Sequence, residues 1–166
     1  SNKMLKLNLI LNGLVSSLDH AIQGDTLVSP YHKSDDGQTL RQFDFVVSNP
    51  PFKMDFSDTR EKIAAMPARF WAGVPTVPKK DIDKMAIYTC FIQHVINSLK
   101  DTGKGAIVVP TGFLTAKSSV EGKVLKKLVE SILEDLSTKE VFLFHVFCEN
   151  CSAEYASKPI RFTKAG

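Results

Sequence analysis

Four consecutive residues, Asn49-Pro50-Pro51-Phe52, bring together groups that can hold a flat aromatic amine. The Asn side-chain oxygen accepts a hydrogen bond. The two prolines restrict the backbone and so fix where a neighbouring carbonyl points. The phenylalanine ring offers a stacking face. Methylation of adenine at N6 calls for this set. The exocyclic amine is conjugated with its ring and is a poor nucleophile. Two acceptors drawing on its hydrogens let the nitrogen rehybridise and turn its lone pair toward a methyl donor. In a duplex the base must first be extruded. As a bare turn the tetrapeptide means less, because Asn and Pro are common turn formers. A sequence of the form [Asp/Asn/Ser]-Pro-Pro-aromatic arises by chance in roughly one chain in two hundred, so its setting decides its weight.

The setting is a strand. Phe43-Asp44-Phe45-Val46-Val47-Ser48 is aromatic and β-branched, apolar on both sides of the pleat, and stops at the prolines. That pattern predicts a buried central strand of a parallel sheet. Gly105 to Pro110 and Val141 to Phe147 are two more strand candidates. Helical spacing of apolar residues marks 3–15, ended by Asn12-Gly13, and also 83–100 and 119–136. Ala21 to Asp25 reads as a short strand ending in a Gly-Asp turn, and 29–42 as a polar surface loop. Residues 53–82 form a long irregular stretch, of the kind that is usually functional or mobile. The final residues show little periodicity. Alternating strands and helices predict an α/β fold with a mostly parallel sheet. Ligands of such sheets bind beyond the carboxyl ends of the strands, which is where Asn49 to Phe52 fall.

Composition narrows the class. The chain has 166 residues, enough for one domain, with 43% hydrophobic and 23% charged residues. A net charge of +3 permits a polyanionic partner without demanding one. Three cysteines, Cys90, Cys148 and Cys151, argue against a disulfide scaffold and for a reducing compartment. With no membrane-length apolar run and no signal-peptide pattern, a cytoplasmic location is the expectation. Ser1-Asn2 has the look of a cleavage scar, so a piece of a longer protein is expected.

The sequence resembles the amino-group DNA methyltransferases, and most of all the modification (M) subunits of type I restriction-modification systems. The likeness runs in order from residue 4 to about 130. Lys6 to Leu14 is similar to a family helix, Gly24-Asp25-Thr26-Leu27 to a family turn, and Phe43 to Phe52 to the catalytic segment. Phe91 to Val95 with Gly103 to Pro110 corresponds to the next helix and strand, and Ser118 to Lys123 to a later helix start. The resemblance implies a Rossmann-like methyltransferase fold and S-adenosyl-L-methionine as methyl donor. It implies that Asn49 holds the adenine amine, that Pro50 offers its carbonyl, with Pro51 completing the turn, and that Phe52 stacks on the flipped base. Asp25 takes the position that contacts the adenine ring of the cofactor. The implied partners are DNA and the specificity and restriction subunits of a type I complex.

The chain departs from the family in two ways. It has no Gly-rich cofactor loop of the form Asp-Pro-x-Cys-Gly-x-Gly, and the first strands of the sheet are missing. An incomplete sheet is therefore expected, completed by a partner such as a second copy, with the fragment inactive alone. The division expected is a partial catalytic domain over 1–135 and a last strand with a divergent tail over 136–166.

Other signals are weaker. His145, Cys148 and Cys151 have metal-like spacing but lack a fourth ligand, and free Cys is commonly a small buried apolar group, so no metal site is expected. His94, on an apolar helix, reads as a satisfied, partly buried histidine. Lys79-Lys80 and Lys117, Lys123, Lys126 and Lys127 could meet phosphate, although helix lysines more often form a solvated face. The stretch carrying Phe56, Arg60, Arg69, Phe70 and Trp71 could close over an extruded base, cover the surface or meet another subunit. Two further functions stay open: the same chemistry on RNA or a protein glutamine, and a non-catalytic assembly module.

Overall fold

Four strands form one sheet in the order β1-β2-β3-β4: β1 Phe43–Ser48, β2 Leu99–Val109, β3 Glu140–His145 and β4 Ile160–Phe162. The computed structural model describes residues 2–117, 119–133, 140–145 and 160–162. β1 and β3 both run parallel to β2, and β4 pairs antiparallel with β3. The fold is α/β with parallel central pairing. The register sets Val46 beside Gly105 and Ser48 beside Ile107, so β1 ends two residues before β2.

Among the described residues four α-helices accompany the sheet: α1 Asn2–Leu11, α2 Ser57–Ala64, α3 Tyr88–Asn97 and α4 Ser119–Leu133. Helices α3 and α4 pack together. Ile92, Val95, Val124 and Leu128 join Leu99, Ile107, Val109 and Val141 of the sheet in the main core. β1 is not the buried central strand its sequence predicts: among the described residues it lies at the sheet edge, and its outer face is bare, with Phe45 and Val47 73% and 83% exposed, because no segment packs over them. A smaller cluster of Leu27, Phe56, Ile63, Phe70, Val74, Met85, Ile87 and Cys90 fills the space under the segments flanking the strand.

Most expected elements form. Helix α1 ends at Asn12-Gly13 as expected: Gly13 adopts φ +72°, and the Leu14 amide reaches back to the Leu9 carbonyl at 2.8 Å. Several elements differ, and one is β2, which starts at Leu99, inside the expected helix 83–100. Residues 21–25 form no strand. The amides that follow are taken locally, since Asp25 Oδ1 accepts from Leu27 and Val28 and the Asp25 carbonyl accepts from Ser29. The stretch 53–82 contains helix α2, started by Asp55, whose carboxylate accepts from the Ser57 amide and hydroxyl at 2.9 and 2.7 Å. Helix α3 begins at Tyr88 because Ile82–Lys84 makes a tight 3-10 turn and Met85 is extended. Cys148 and Cys151 lie outside the described residues. No helix among the described residues is long and apolar enough to cross a membrane.

Candidate active site

The chain leaves the sheet at Ser48 and turns at once through Asn49 to Phe52. Pro50 is buried, while Asn49 and Pro51 are exposed and Phe52 is half-buried. Strand β1 is tied to β2 by its backbone, and the buried proline seats the turn on the end of the strand. Among the described residues no hydrogen bond engages the Asn49 side chain, so its amide is available to a ligand.

Phe52 stands on a column of aromatic rings. It meets Tyr88 in a T-shaped contact at 6.4 Å, and Tyr88 meets Phe113 in another at 5.7 Å. Tyr88, only 2% exposed, donates from Oη to Glu121 Oε1 at 2.6 Å. Burial, and then the Glu121 carboxylate, raise the Tyr88 phenol far above its usual range, which keeps it a hydrogen-bond donor. The column joins the turn to α3 and α4, whose apolar helical spacing was recognisable from sequence, through contacts that were not.

The exposed Asp25 sits in a second turn. Its Oδ1 accepts from the Leu27 and Val28 amides, both at 2.9 Å. Its Oδ2 has no partner among the described residues. Two cavities flank this turn. One of about 380 Å³ is lined by Asp25 with Met54, Phe56, Ile87 and Phe91, so the residues just after the Asn49 turn share it. The other, of about 240 Å³, opens beside His20, Tyr31, His32 and His94. The structure thus places Asn49, Pro50, Pro51 and Phe52 at the strand end, and sets Asp25 beside the segment that follows them.

Arg69 ties the Asp25 turn to helix α3. Its guanidinium donates to the carbonyls of Thr26 and Leu27 at 2.6 and 2.7 Å and lies 2.7 Å from His94 Nδ1. The arginine is always a donor here, so His94 Nδ1 accepts and the imidazole is neutral. Burial first, and then the Arg69 charge, push His94 down from 6.5 to about 4. His94 is the satisfied, partly buried histidine expected of its helix.

The segment after α2 is a cover piece packed into the core. Phe70, Ala72 and Val74 are buried. The fully buried Gln93 accepts from the Ala72 amide at 2.8 Å and donates to the Gly73 carbonyl at 3.0 Å. Asn97 donates to the Arg69 carbonyl at 2.9 Å. Of the basic side chains, Lys127 lies 4.8 Å over the Trp71 ring and helps pack the same segment. Gln93, a lone amide on an apolar helical face, carried a sequence signal for such a role. Arg69 carried none, because its partners lie 42 and 43 residues away.

A family model described as N-6 DNA Methylase matches residues 1–135. The chain belongs to the N-6 DNA methylase family. Two curated relatives agree. The chain is 31% identical over 135 residues to the type I restriction enzyme MjaIX methylase subunit of Methanocaldococcus jannaschii, covering 79% of this chain and 21% of that protein. It is 31% identical over 117 residues to the type I restriction enzyme StySPI methylase subunit of Salmonella potsdam, covering 69% of this chain and 18% of that one. The chain therefore spans about a fifth of the length of these methylase subunits. No solved structure gives a significant match.

Proposed function

We propose that this chain is the base-holding part of a type I modification subunit that methylates adenine N6 in DNA. The carrying observation is the Asn49 amide. It is exposed at the carboxyl end of β1, no described residue engages it, and it lies three residues from an aromatic ring held on a buried column.

In this reading Asn49 Oδ1 accepts one hydrogen of the extruded adenine amine. The Pro50 carbonyl accepts the other, with Pro51 holding the turn. Phe52 stacks on the base. The two acceptors would draw the nitrogen out of conjugation and turn its lone pair toward the methyl group that a bound donor would supply. The nitrogen then sheds one proton. S-adenosyl-L-methionine, when bound, supplies the electrophilic methyl group. Asp25 suits its adenine ring: the free Oδ2 can accept from an exocyclic amine, and the cavity of about 380 Å³ beside it is largely apolar and sized for a purine.

The proposal includes a Rossmann-like sheet of which these strands are part, a catalytic portion over 1–135 and a tail over 136–166. It includes DNA and the specificity and restriction subunits as partners, and a cytoplasmic location. The open β1 edge and the bare face at Phe45 and Val47 leave room for a completing segment, including one from a second copy. The isolated chain is proposed to be inactive.

The test is Asn49→Ala in the full-length parent with its partner subunits. N6-methyladenine formation should fall at least a hundredfold while fold and assembly persist. Methylation at the parental rate would overturn the assignment. Acceptor competition among DNA, RNA and a glutamine peptide separates the substrates.

A further inference from the structure

Resting on the reading of Asp25 as a cofactor contact, we infer that Arg69 is a positioning residue that sets the Asp25 carboxylate for the methyl donor and ties it to the segment following the base-holding turn. The geometry is specific. The Leu27 amide that bonds Asp25 belongs to the same peptide unit as the Thr26 carbonyl, and the Val28 amide to the same unit as the Leu27 carbonyl. A trans peptide points its N–H and C=O in opposite directions. Asp25 Oδ1 thus holds the N–H ends of two successive peptide units, while Arg69 holds their C=O ends at 2.6 and 2.7 Å. Bonds in such a chain polarise and strengthen one another. The arginine charge reinforces both amide bonds to the carboxylate without touching it.

Arg69 is itself fixed. Its Nη2 meets His94 Nδ1, and its guanidinium lies 4.9 Å from the centre of the Phe70 ring. Its Nε is buried with no hydrogen-bond partner. An unmatched buried donor on a cation costs stability, so an arginine here is poorly explained as a fold stabiliser alone. A rigid fork that sets two separate nitrogens on two carbonyls is something a lysine ammonium lacks.

The experiment uses the full-length parent in its complex, with S-adenosylhomocysteine as a calorimetric probe and 2-aminopurine at the target base as a fluorescent reporter of extrusion. Arg69→Met should weaken S-adenosylhomocysteine binding at least tenfold, and Arg69→Lys should recover little of it. Base extrusion should stay within about twofold, because the Asn49 turn is held separately. Asn97→Ala loosens the same segment without changing the guanidinium, and should lower the melting temperature while leaving probe binding within twofold. Asp25→Asn reports on the underlying reading. If Asp25→Asn weakens the probe and both Arg69 variants bind it normally, the role of Arg69 is overturned and that of Asp25 stands. If Asp25→Asn binds normally, both fall. If Asn97→Ala weakens the probe as much as Arg69→Met, Arg69 acts only through general stability and the inference fails.

Discussion

Tyr88 and Glu121 join helices α3 and α4 by a 2.6 Å hydrogen bond directly beneath the ring that supports Phe52. A bond to a charged acceptor is worth about 1.5–3 kcal/mol when the acceptor is left dry, and less when water can replace the donor. Glu121 is half-buried, so water can reach it. Tyr88→Phe should therefore cost about 1–2 kcal/mol in urea unfolding, with the ring column intact. A cost below the error of the measurement would show that the bond adds nothing to the column.

The pH dependence of stability should carry the mark of His94. Its folded value, about 4, lies below its ordinary 6.5. The unfolded chain takes up the proton first as pH falls, so the neutral imidazole's contribution is complete above 6.5. It is lost as pH drops toward 4, and the loss levels off below that. The change is on the order of 3 kcal/mol at most. His94→Gln, which keeps an acceptor for Arg69, should flatten the curve across that window. Unfolding midpoints of the two proteins at pH 7 and pH 4.5 give the difference, with the carboxylates common to both cancelling.

Gly122 has no room for a side chain. A Cβ there would stand 2.9 Å from the Lys117 carbonyl carbon and 3.1 Å from its oxygen, both backbone atoms. Gly122→Ala should destabilise by about 1–3 kcal/mol, a fall of several degrees in melting temperature. Gly112, with nothing within 4 Å of its added Cβ, is the comparison, and Gly112→Ala should melt close to the parent.

Gln93 bonds the Ala72 amide and the Gly73 and Thr89 carbonyls from a fully buried position. Gln93→Leu fills the same space but strands those backbone groups. The expected loss is roughly 3 kcal/mol, with the Ala72 amide exchanging its hydrogen faster. Unchanged exchange at Ala72 would mean the segment is held by its apolar contacts alone.

Much of this site was legible in the residues. The Phe43–Ser48 run announced β1 because its apolar side chains and terminal prolines allow little else. The turn followed from the prolines. Helix α3 showed in its spacing, but 83–100 overran it at both ends, since it starts at Tyr88 and Leu99 already belongs to β2. The misses have physical causes. Ala21-Ile22 looked like a strand, yet a strand needs a neighbour, and the Asp25 carboxylate captured the amides just beyond it. Helix α2 is charged and buries one side chain, Ile63. The prolines and glycines after it dominated the pattern. The first half of β2 is polar from Lys100 to Lys104, so only its apolar end stood out. Arg69 was visible as a cation in a loop, but nothing local marks the carbonyls it serves.

The anchoring of the segment after α2 also changes where a protease can enter. By composition, 65–78 with its prolines and glycine looks as open as the polar loop at 31–42. Cleavage needs a stretch of backbone that can leave the surface. The bond after Arg69 runs into the buried Phe70 and is held by Asn97, whereas Arg41, Lys79 and Lys80 are exposed. Limited trypsin digestion should nick the chain after Arg41 and Lys80 and spare the bond after Arg69.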